Sequence, residues 1–481
     1  MELTLFEIKN VFLPESILFV CIIANILFSL FWGKRVYKFA GRYAVISILL
    51  PLASMSLGIA HTGYTIFAEN YIHTNFTMLV KVIILIGTFF TILLSQNITQ
   101  KLRHRAFEYY SILLTAAFAS MCLVSSNDFI PMFVSLETLS IACCMLIAFW
   151  NKYKPKEAAI KYLINSAVAT CLMFFGVSYL YGISGELNFS LLNLHYYSQD
   201  TSVLFIIASL FIIIGLTFKT GCLPFQRWAP DIYQGSPYPI AAFISVVPKI
   251  AGFGILARII GSLMYDTPLL QFIISFCAIL TVIYGFFGAI RQTDIKRFIG
   301  YSSVAHCGFM LLSLSVFTNS GVASFLYYAI VYLFMNFGAW AAAITFVSCT
   351  GSDDLKHYTG LFYIRPYYTI AFVICIMALA GLPPTAGFLS KLYMFTSLMR
   401  IDISGLPIAA AAAFLTIFGI YAYVNLIKIM FDKEFKTNFE MTSIEHTNTK
   451  VVLYFCTLIT ILAFFFADKL IGLSMFASIG I

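Results

Sequence analysis

Apolar residues run through this chain in stretches of about twenty, the length of helix that spans a hydrocarbon core, and polar residues collect in the short segments between. Backbone N–H and C=O groups in lipid must be satisfied inside the spanning structure, which leaves helices or a closed barrel. Barrel strands need alternation with period two, and the runs do not alternate, so the pattern predicts helices. They fall at 13–32, 42–60, 76–96, 107–126, 128–150, 160–183, 202–225, 238–262, 268–291, 299–318, 321–349, 366–396, 404–431 and 451–473. The expectation is an all-α membrane protein with about fourteen transmembrane helices and no soluble domain. The first run follows Glu2, Glu7 and Lys9 with no small-residue cleavage site after it, so it reads as a retained helix.

Charge sharpens this picture. Only 10% of the 481 residues are charged and 61% are hydrophobic. A soluble domain carries about 25% charge, so lipid must cover much of this surface. The net charge of +8 would suit nucleic acid, but the positions of the charges point to orientation instead. Odd-numbered loops and their borders hold Lys34, Arg35, Lys38, Arg42, Lys101, Arg103, Arg105, Lys152, Lys154, Lys156 and Lys161. Further along they hold Arg227, Arg291, Lys296, Arg297, Lys356, Arg365, Lys433, Lys436 and Lys450. Even loops and the two ends hold only Lys9, Arg400 and Lys469. Basic residues gather on the cytoplasmic side of membrane proteins. Both termini are therefore expected on the periplasmic-equivalent side of a bacterial inner membrane or its organellar counterpart. Eleven cysteines, mostly within apolar runs and never as Cys-x-x-Cys, read as small buried hydrophobes and not as metal or cluster ligands.

Six basic residues lie within predicted helices: Lys81, Lys219, Lys249, Arg258, Lys391 and Lys428. Arg258 and Lys428 are near helix ends and are expected to reach out to the interface. Lys81 is a few residues into its helix. Lys219, Lys249 and Lys391 are two or three turns from an end, and Glu137 is the carboxylate deep within a span. Each central charge costs at least ~2.5–3.5 kcal/mol. Buried ion pairs are the plain explanation, but Glu137 can neutralise only one lysine. The functional explanation is a proton relay, because an amine taken out of water exchanges its proton far more readily than one in water. His306, about two turns into the tenth helix, suits the same chemistry with an ordinary pKa of about 6.5.

Two of the helices are interrupted. The seventh contains Lys219-Thr220-Gly221-Cys222-Leu223-Pro224, and the twelfth contains Gly381-Leu382-Pro383-Pro384 ahead of Lys391. Internal proline frees carbonyls that hydrocarbon cannot satisfy, so such breaks belong beside protein or water. Interrupted helices at matching places in two halves mark inverted-repeat transporters. Glu137 and Lys219 are 82 residues apart, and His306 and Lys391 are 85 apart. Both pairs shift by five helices. Helices four to eight (107–262) and nine to thirteen (268–431) are therefore expected to be inverted copies. Helices one to three (1–106) precede them, and a loop and last helix (432–481) follow.

Longer motifs carry a resemblance. They include Asn127-Asp128-Phe129 leading to Glu137, Lys156-Glu157-Ala158-Ala159-Ile160-Lys161-Tyr162, Phe218-Lys219, and Leu223-Pro224-Phe225. Trp228-Ala229-Pro230-Asp231, Tyr233–Pro237, Ala242–Lys249, Gln292–Arg297, Tyr301-Ser302-Ser303 and Gly381–Lys391 follow in order. Over essentially its whole length the chain resembles the antiporter-like subunits of respiratory complex I, the proton-pumping NADH:quinone oxidoreductase. Within that set it is most similar to the subunit N branch. The resemblance implies a Glu137–Lys219 pair at the inner end of the relay, Lys249 as connecting lysine and Lys391 as terminal lysine near the exit. A lysine in the twelfth helix fits N better than M, which has glutamate there, and the lateral helix of subunit L is lacking. Gln226 departs from the family, which usually shows histidine at that position, and Arg227 is also unusual. Protons are expected to come from the cytoplasmic side, driven by quinone reduction elsewhere. The chain shows no flavin, nucleotide or iron–sulfur motif, so those groups and the quinone site are expected in other subunits. Partners are expected to be other membrane subunits, side by side, and lipid, with no nucleic acid. Competing readings are a multi-subunit cation/proton antiporter, a related hydrogenase or photosynthetic quinone-reducing complex, and a structural spacer.

Overall fold

The computed structural model describes residues 12–58, 63–67, 69–150, 153–196, 203–263, 268–400, 405–433 and 447–479. Lys9, Lys152 and Lys436, used above for orientation, lie outside the described residues, as do both chain ends. The long helices are α1 Leu13–Val36, α2 Ala40–Gly58, α3 Asn75–Leu102, α4 Ala106–Ser125, α5 Phe129–Ala148, α6 Tyr153–Ser184, α7 Val203–Thr220 and α8 Tyr238–Leu263. They continue as α9 Pro268–Ile290, α10 Ile295–Leu314, α11 Asn319–Thr350, α12 Pro366–Ala380, α13 Ala386–Leu398, α14 Gly405–Phe431, α15 Thr447–Phe465 and α16 Ala467–Ser478.

Among the described residues, eleven helices are long and apolar enough to cross a membrane: α1, α3 to α9, α11, α14 and α15. The other predicted runs are helical as well, with physical differences. Serines and Arg42 dilute α2, and Lys296, Arg297, His306 and several serines dilute α10. The twelfth predicted run splits into the short apolar α12 and α13 around Gly381–Thr385. Large apolar side chains such as Val20, Leu30 and Phe414 are more than 60% exposed, which water would not tolerate in rows and lipid does.

The chain divides into two compact units. The first holds 1–220, 247–271 and 476–481. Within it α6 and α7 approach closely because small residues face each other. A Cβ on Gly176 would come 2.6 Å from the Ala208 carbonyl, and one on Gly215 would come 2.5 Å from Met173 Cβ. A hairpin of β1 Tyr64–Ile66 and β2 Tyr71–His73 closes one end, with Tyr71 bridged to Ser126. Three-residue strands carry too little periodicity to be read beforehand. Arg258 does not reach for an interface as expected. It is buried, and it donates to the carbonyls of Val124 and Ser126 and to Asn127 Oδ1 (2.8 Å), which ties α8 to the end of α4. Lys428 is exposed, in keeping with its reading.

The second unit holds 221–246 and 272–475. Several of the long motifs meet there as a staple. Asp294 caps α10, its Oδ1 accepting from the N–H groups of Lys296 and Arg297, while its Oδ2 accepts from Gln234 Nε2 at 3.0 Å. Arg297 donates to Asp231 (2.9 Å) and Gln234 (3.1 Å), and Lys296 donates to the Ser236 carbonyl (3.1 Å). Asp294→Ala is expected to lower the thermal midpoint of the purified protein. The lost cap alone costs about 0.5–2 kcal/mol, so an unchanged midpoint would show that the staple contributes nothing.

Candidate proton relay

Lys219 ends in a pocket of neutral oxygens. It lies in the last turn of α7, just before Gly221 turns the chain with φ +75°, and is 4% exposed. Its Nζ donates to Ser140 Oγ at 2.7 Å and to Tyr162 OH at 3.1 Å, with the Tyr162 ring 5.4 Å away. Ser140 Oγ in turn accepts from Ser166 Oγ at 2.9 Å. One turn further along α6, Thr170 Oγ1 donates to Glu137 Oε1 at 2.7 Å. The anticipated Glu137–Lys219 contact is thus a hydroxyl-lined link between α5, α6 and α7. Among the described residues the two charges form no ion pair within 4 Å. Glu137 itself is only half-buried. Lys249 is 1% exposed on α8. Gly252, one turn on, lies so close that a Cβ there would meet Lys219 Cβ at 3.0 Å.

In the second unit His306 is fully buried in α10, with both ring nitrogens engaged by phenols. Nδ1 shares a hydrogen bond with Tyr328 OH at 2.7 Å, and Nε2 shares one with Tyr423 OH at 3.2 Å. Tyr423 OH also bonds Ser302 Oγ. The Tyr332 ring centre lies 5.5 Å from the imidazole, and its OH donates to the Ser245 carbonyl at 3.3 Å. Ser245 Oγ accepts from Trp340 Nε1 at 3.1 Å. Ser245 precedes Lys249 by four residues on α8.

Lys391 is held differently. Gly381 caps α12 with φ +80°, and the last carbonyls of that helix lack helical partners. Lys391 Nζ reaches back from α13 to two of them, Ala380 O at 2.7 Å and Leu379 O at 3.0 Å. The negative end of a helix dipole favours a cation at this point. The Phe309 ring centre lies 5.1 Å from the ammonium.

The five predicted residues therefore fall into two sets. Glu137, Lys219 and Lys249 lie in the first unit, and His306 and Lys391 lie in the second. Sequence reading missed the neutral groups that hold them within each unit. Tyr162, Ser166 and Thr170 were detectable as one face of α6 at four-residue steps. Tyr328, Tyr332 and Tyr423 were hidden among 28 tyrosines.

Comparison with known proteins bears on the family and the fold. Residues 126–419 match the family described as NADH:quinone oxidoreductase/Mrp antiporter, transmembrane. NAD(P)H-quinone oxidoreductase subunit 2 of Synechococcus elongatus is 33% identical over 427 residues, covering 88% of this chain and 82% of that protein. A chain of respiratory complex I from Thermus thermophilus superposes with a TM-score of 0.80 at 25% identity, covering 96% of this chain and 99% of the other. A chain of the Mrp complex from Dietzia sp. shares the fold at 16% identity, with a TM-score of 0.86 over 99% of this chain and 97% of its own. The matched segment, the curated relatives and the shared fold together place this chain in the NADH:quinone oxidoreductase/Mrp antiporter transmembrane family.

Proposed function

We propose that this chain is a proton-translocating membrane subunit of an NADH:quinone oxidoreductase, of the subunit N type. The observation that carries the reading is the handling of the buried lysines. Lys219 and Lys391 each sit beside a helix break and each is held by neutral oxygens, not by a carboxylate. A structural ion pair would surround a lysine with opposite charge. Neutral partners leave it free to change protonation state without stranding a buried anion. Curated relatives named subunit 2 and the lysine in α13 support the N assignment within the family.

In the proposed mechanism a proton from the cytoplasmic side reaches the Glu137–Lys219 set. It moves on through Lys249 and His306 and leaves near Lys391. The carboxylate favours the charged amine, and any motion that weakens their link favours release. Quinone reduction in other subunits drives the alternation, and those subunits hold the flavin, iron–sulfur clusters and quinone. The chain takes no part in redox chemistry and stands side by side with other membrane subunits. Helices four to eight and nine to thirteen act as inverted copies within about fourteen spans, and both termini face the periplasmic-equivalent side.

The test uses inverted membrane vesicles from a strain lacking this chain and from the complemented strain. NADH-driven proton uptake is expected to vanish and return with complementation. Intact NADH-driven uptake together with a defect in sodium/proton exchange would instead establish the antiporter reading. Within the relay, Thr170→Val removes the hydroxyl on Glu137 while keeping the side chain's shape. One such hydrogen bond to a carboxylate is worth about 1.5–3 kcal/mol, so proton uptake is expected to slow by roughly ten- to a hundredfold. Uptake at the wild-type rate would take Thr170 out of the path.

A further inference from the structure

A second buried ionisable centre lies outside the relay. Glu15 of α1 is 0% exposed and Lys81 of α3 is 1% exposed, with Nζ–Oε1 at 2.8 Å. Lys81 also donates to Tyr71 OH at 2.8 Å and lies 4.9 Å from the centre of that ring. Sequence reading placed no carboxylate here, because Glu15 is so near the start of its helix. Both carboxylate oxygens of Glu15 are buried, and the Tyr71 hydroxyl lies beside them as well as beside Lys81.

This pair heads a polar row. On α3, Thr77, Lys81, Thr88, Thr91, Ser95 and Thr99 recur at steps of three, four or seven residues and are all buried, so they share one face from end to end of the helix. Tyr110 of α4 continues the row, its OH bonded to Thr99 Oγ1 at 2.9 Å and to Ser95 Oγ at 3.5 Å. Asn25 of α1 is fully buried with neither amide atom partnered. It lies ten residues beyond Glu15, as Thr91 lies ten beyond Lys81. Both helices run from the hairpin end toward the turns at Tyr37–Phe39 and Arg103–Arg105, so equal rise puts Asn25 and Thr91 at one depth. Buried polar atoms of this kind are satisfied by ordered water. At the hairpin end Tyr71 borders a cavity of about 420 Å³ that is lined chiefly by apolar side chains such as Phe12, Phe67, Phe118 and Val134, with Asn70 and Ser126 among its few polar members.

We propose that Glu15, Lys81 and Tyr71 form a second proton-exchange centre, served by a hydrated row of hydroxyls through α1, α3 and α4. Transfer of one proton from Lys81 Nζ to Glu15 Oε1 turns the ion pair into a neutral amine and a neutral acid, with no change in net charge. The carboxyl then turns so that the protonated oxygen faces away from Lys81 and gives its proton to water, while the amine regains one along the hydroxyl row and the ion pair is restored. Thr88, Thr91, Ser95 and Thr99 each donate to a carbonyl of their own helix (Ile84, Gly87, Ile92 and Gln96), so passing a proton requires each hydroxyl to turn from its carbonyl toward water while it accepts on a lone pair. Tyr71 and Cys122 are the other titratable groups at the pair. The proposal rests on the proton-pumping reading above.

The test compares proton uptake per NADH oxidised in vesicles holding the assembled complex. The variants are Glu15→Gln, the double change Glu15→Gln/Lys81→Met, the double change Thr88→Val/Thr91→Val, and Lys219→Ala as reference. All three of the first set are expected to oxidise NADH while losing part of the uptake per NADH. Infrared difference spectra should show a protonated-carboxyl band that Glu15→Gln lacks. Recovery of full uptake in the charge-free Glu15→Gln/Lys81→Met double would make the pair a structural clasp and overturn the proposal. If the charge variants fail to assemble, the shape-preserving valine double decides, and wild-type uptake in it overturns the proposal. Loss of uptake in Lys219→Ala with full uptake in every N-terminal variant would refute this centre alone. Absence of NADH-driven uptake in the wild type would instead refute the functional reading beneath it.

Discussion

Lys219→Ala is expected to leave the complex assembled and NADH oxidation measurable while removing most NADH-driven proton uptake. The amine is the shared partner of Ser140 and Tyr162, and its loss interrupts the hydroxyl link toward Glu137. Assembly should survive because removing a buried cation relieves its desolvation cost and leaves behind only hydroxyls, which can bond water or each other. Lys219→Arg discriminates further. Guanidinium keeps its proton throughout the physiological range, so an arginine can fill the site but cannot release a proton. Poor uptake with both substitutions means that proton release at this position is required. Wild-type uptake per NADH in the alanine variant would remove the relay from its centre, and wild-type uptake in the arginine variant would reduce Lys219 to a fixed positive charge.

Gly381→Ala is expected to be nearly as damaging, although the glycine carries no chemistry. Its φ of +80° costs a residue with a Cβ roughly 1–2 kcal/mol. The added Cβ would also fall 2.8 Å from Lys391 Cδ and 3.0 Å from its Nζ, pushing the ammonium off the Ala380 and Leu379 carbonyls. Gly351→Ala separates the two effects. Gly351 caps α11 with φ +68°, and nothing lies within 4 Å of the position its Cβ would take. It should lower thermal stability by a similar amount while uptake per NADH holds. Equal loss of uptake in both variants would mean that backbone strain, not displacement of Lys391, is responsible.

Much of the fold was legible because lipid imposes its own arithmetic. Apolar runs of spanning length, prolines beside lysines and basic loops all have one physical cause, the absence of water in the hydrocarbon. The charged members of the site were legible for the same reason, since an ion at mid-depth stands out against its surroundings. Neutral members were not. Ser140 and Thr170 do bond their own helices, at the carbonyls of Leu136 and Ser166, so in sequence nothing separates them or Ser166 from inert hydroxyls. Tyr423 belongs to a helix with no other relay residue, so only tertiary structure brings it to His306. Arg258 departs from its expected place because closeness to a helix end does not give access to the interface where the carbonyls of Val124 and Ser126 cover the guanidinium. Lys81 could not be assigned without Glu15, whose helix is far away in sequence and adjacent in space.

The two lysine cradles differ in what they permit. Around Lys219 the partners are hydroxyls, and a hydroxyl can take a proton on one lone pair while surrendering its own. Around Lys391 the partners are backbone carbonyls, which have nothing to surrender. In the proposed relay the first cradle conducts and the second anchors. A proton that reaches Lys391 cannot continue through the atoms that hold it. In the proposed relay it must depart on a side of the ammonium away from Ala380 and Leu379, so the final stage depends on a main-chain turn that Gly381 sets.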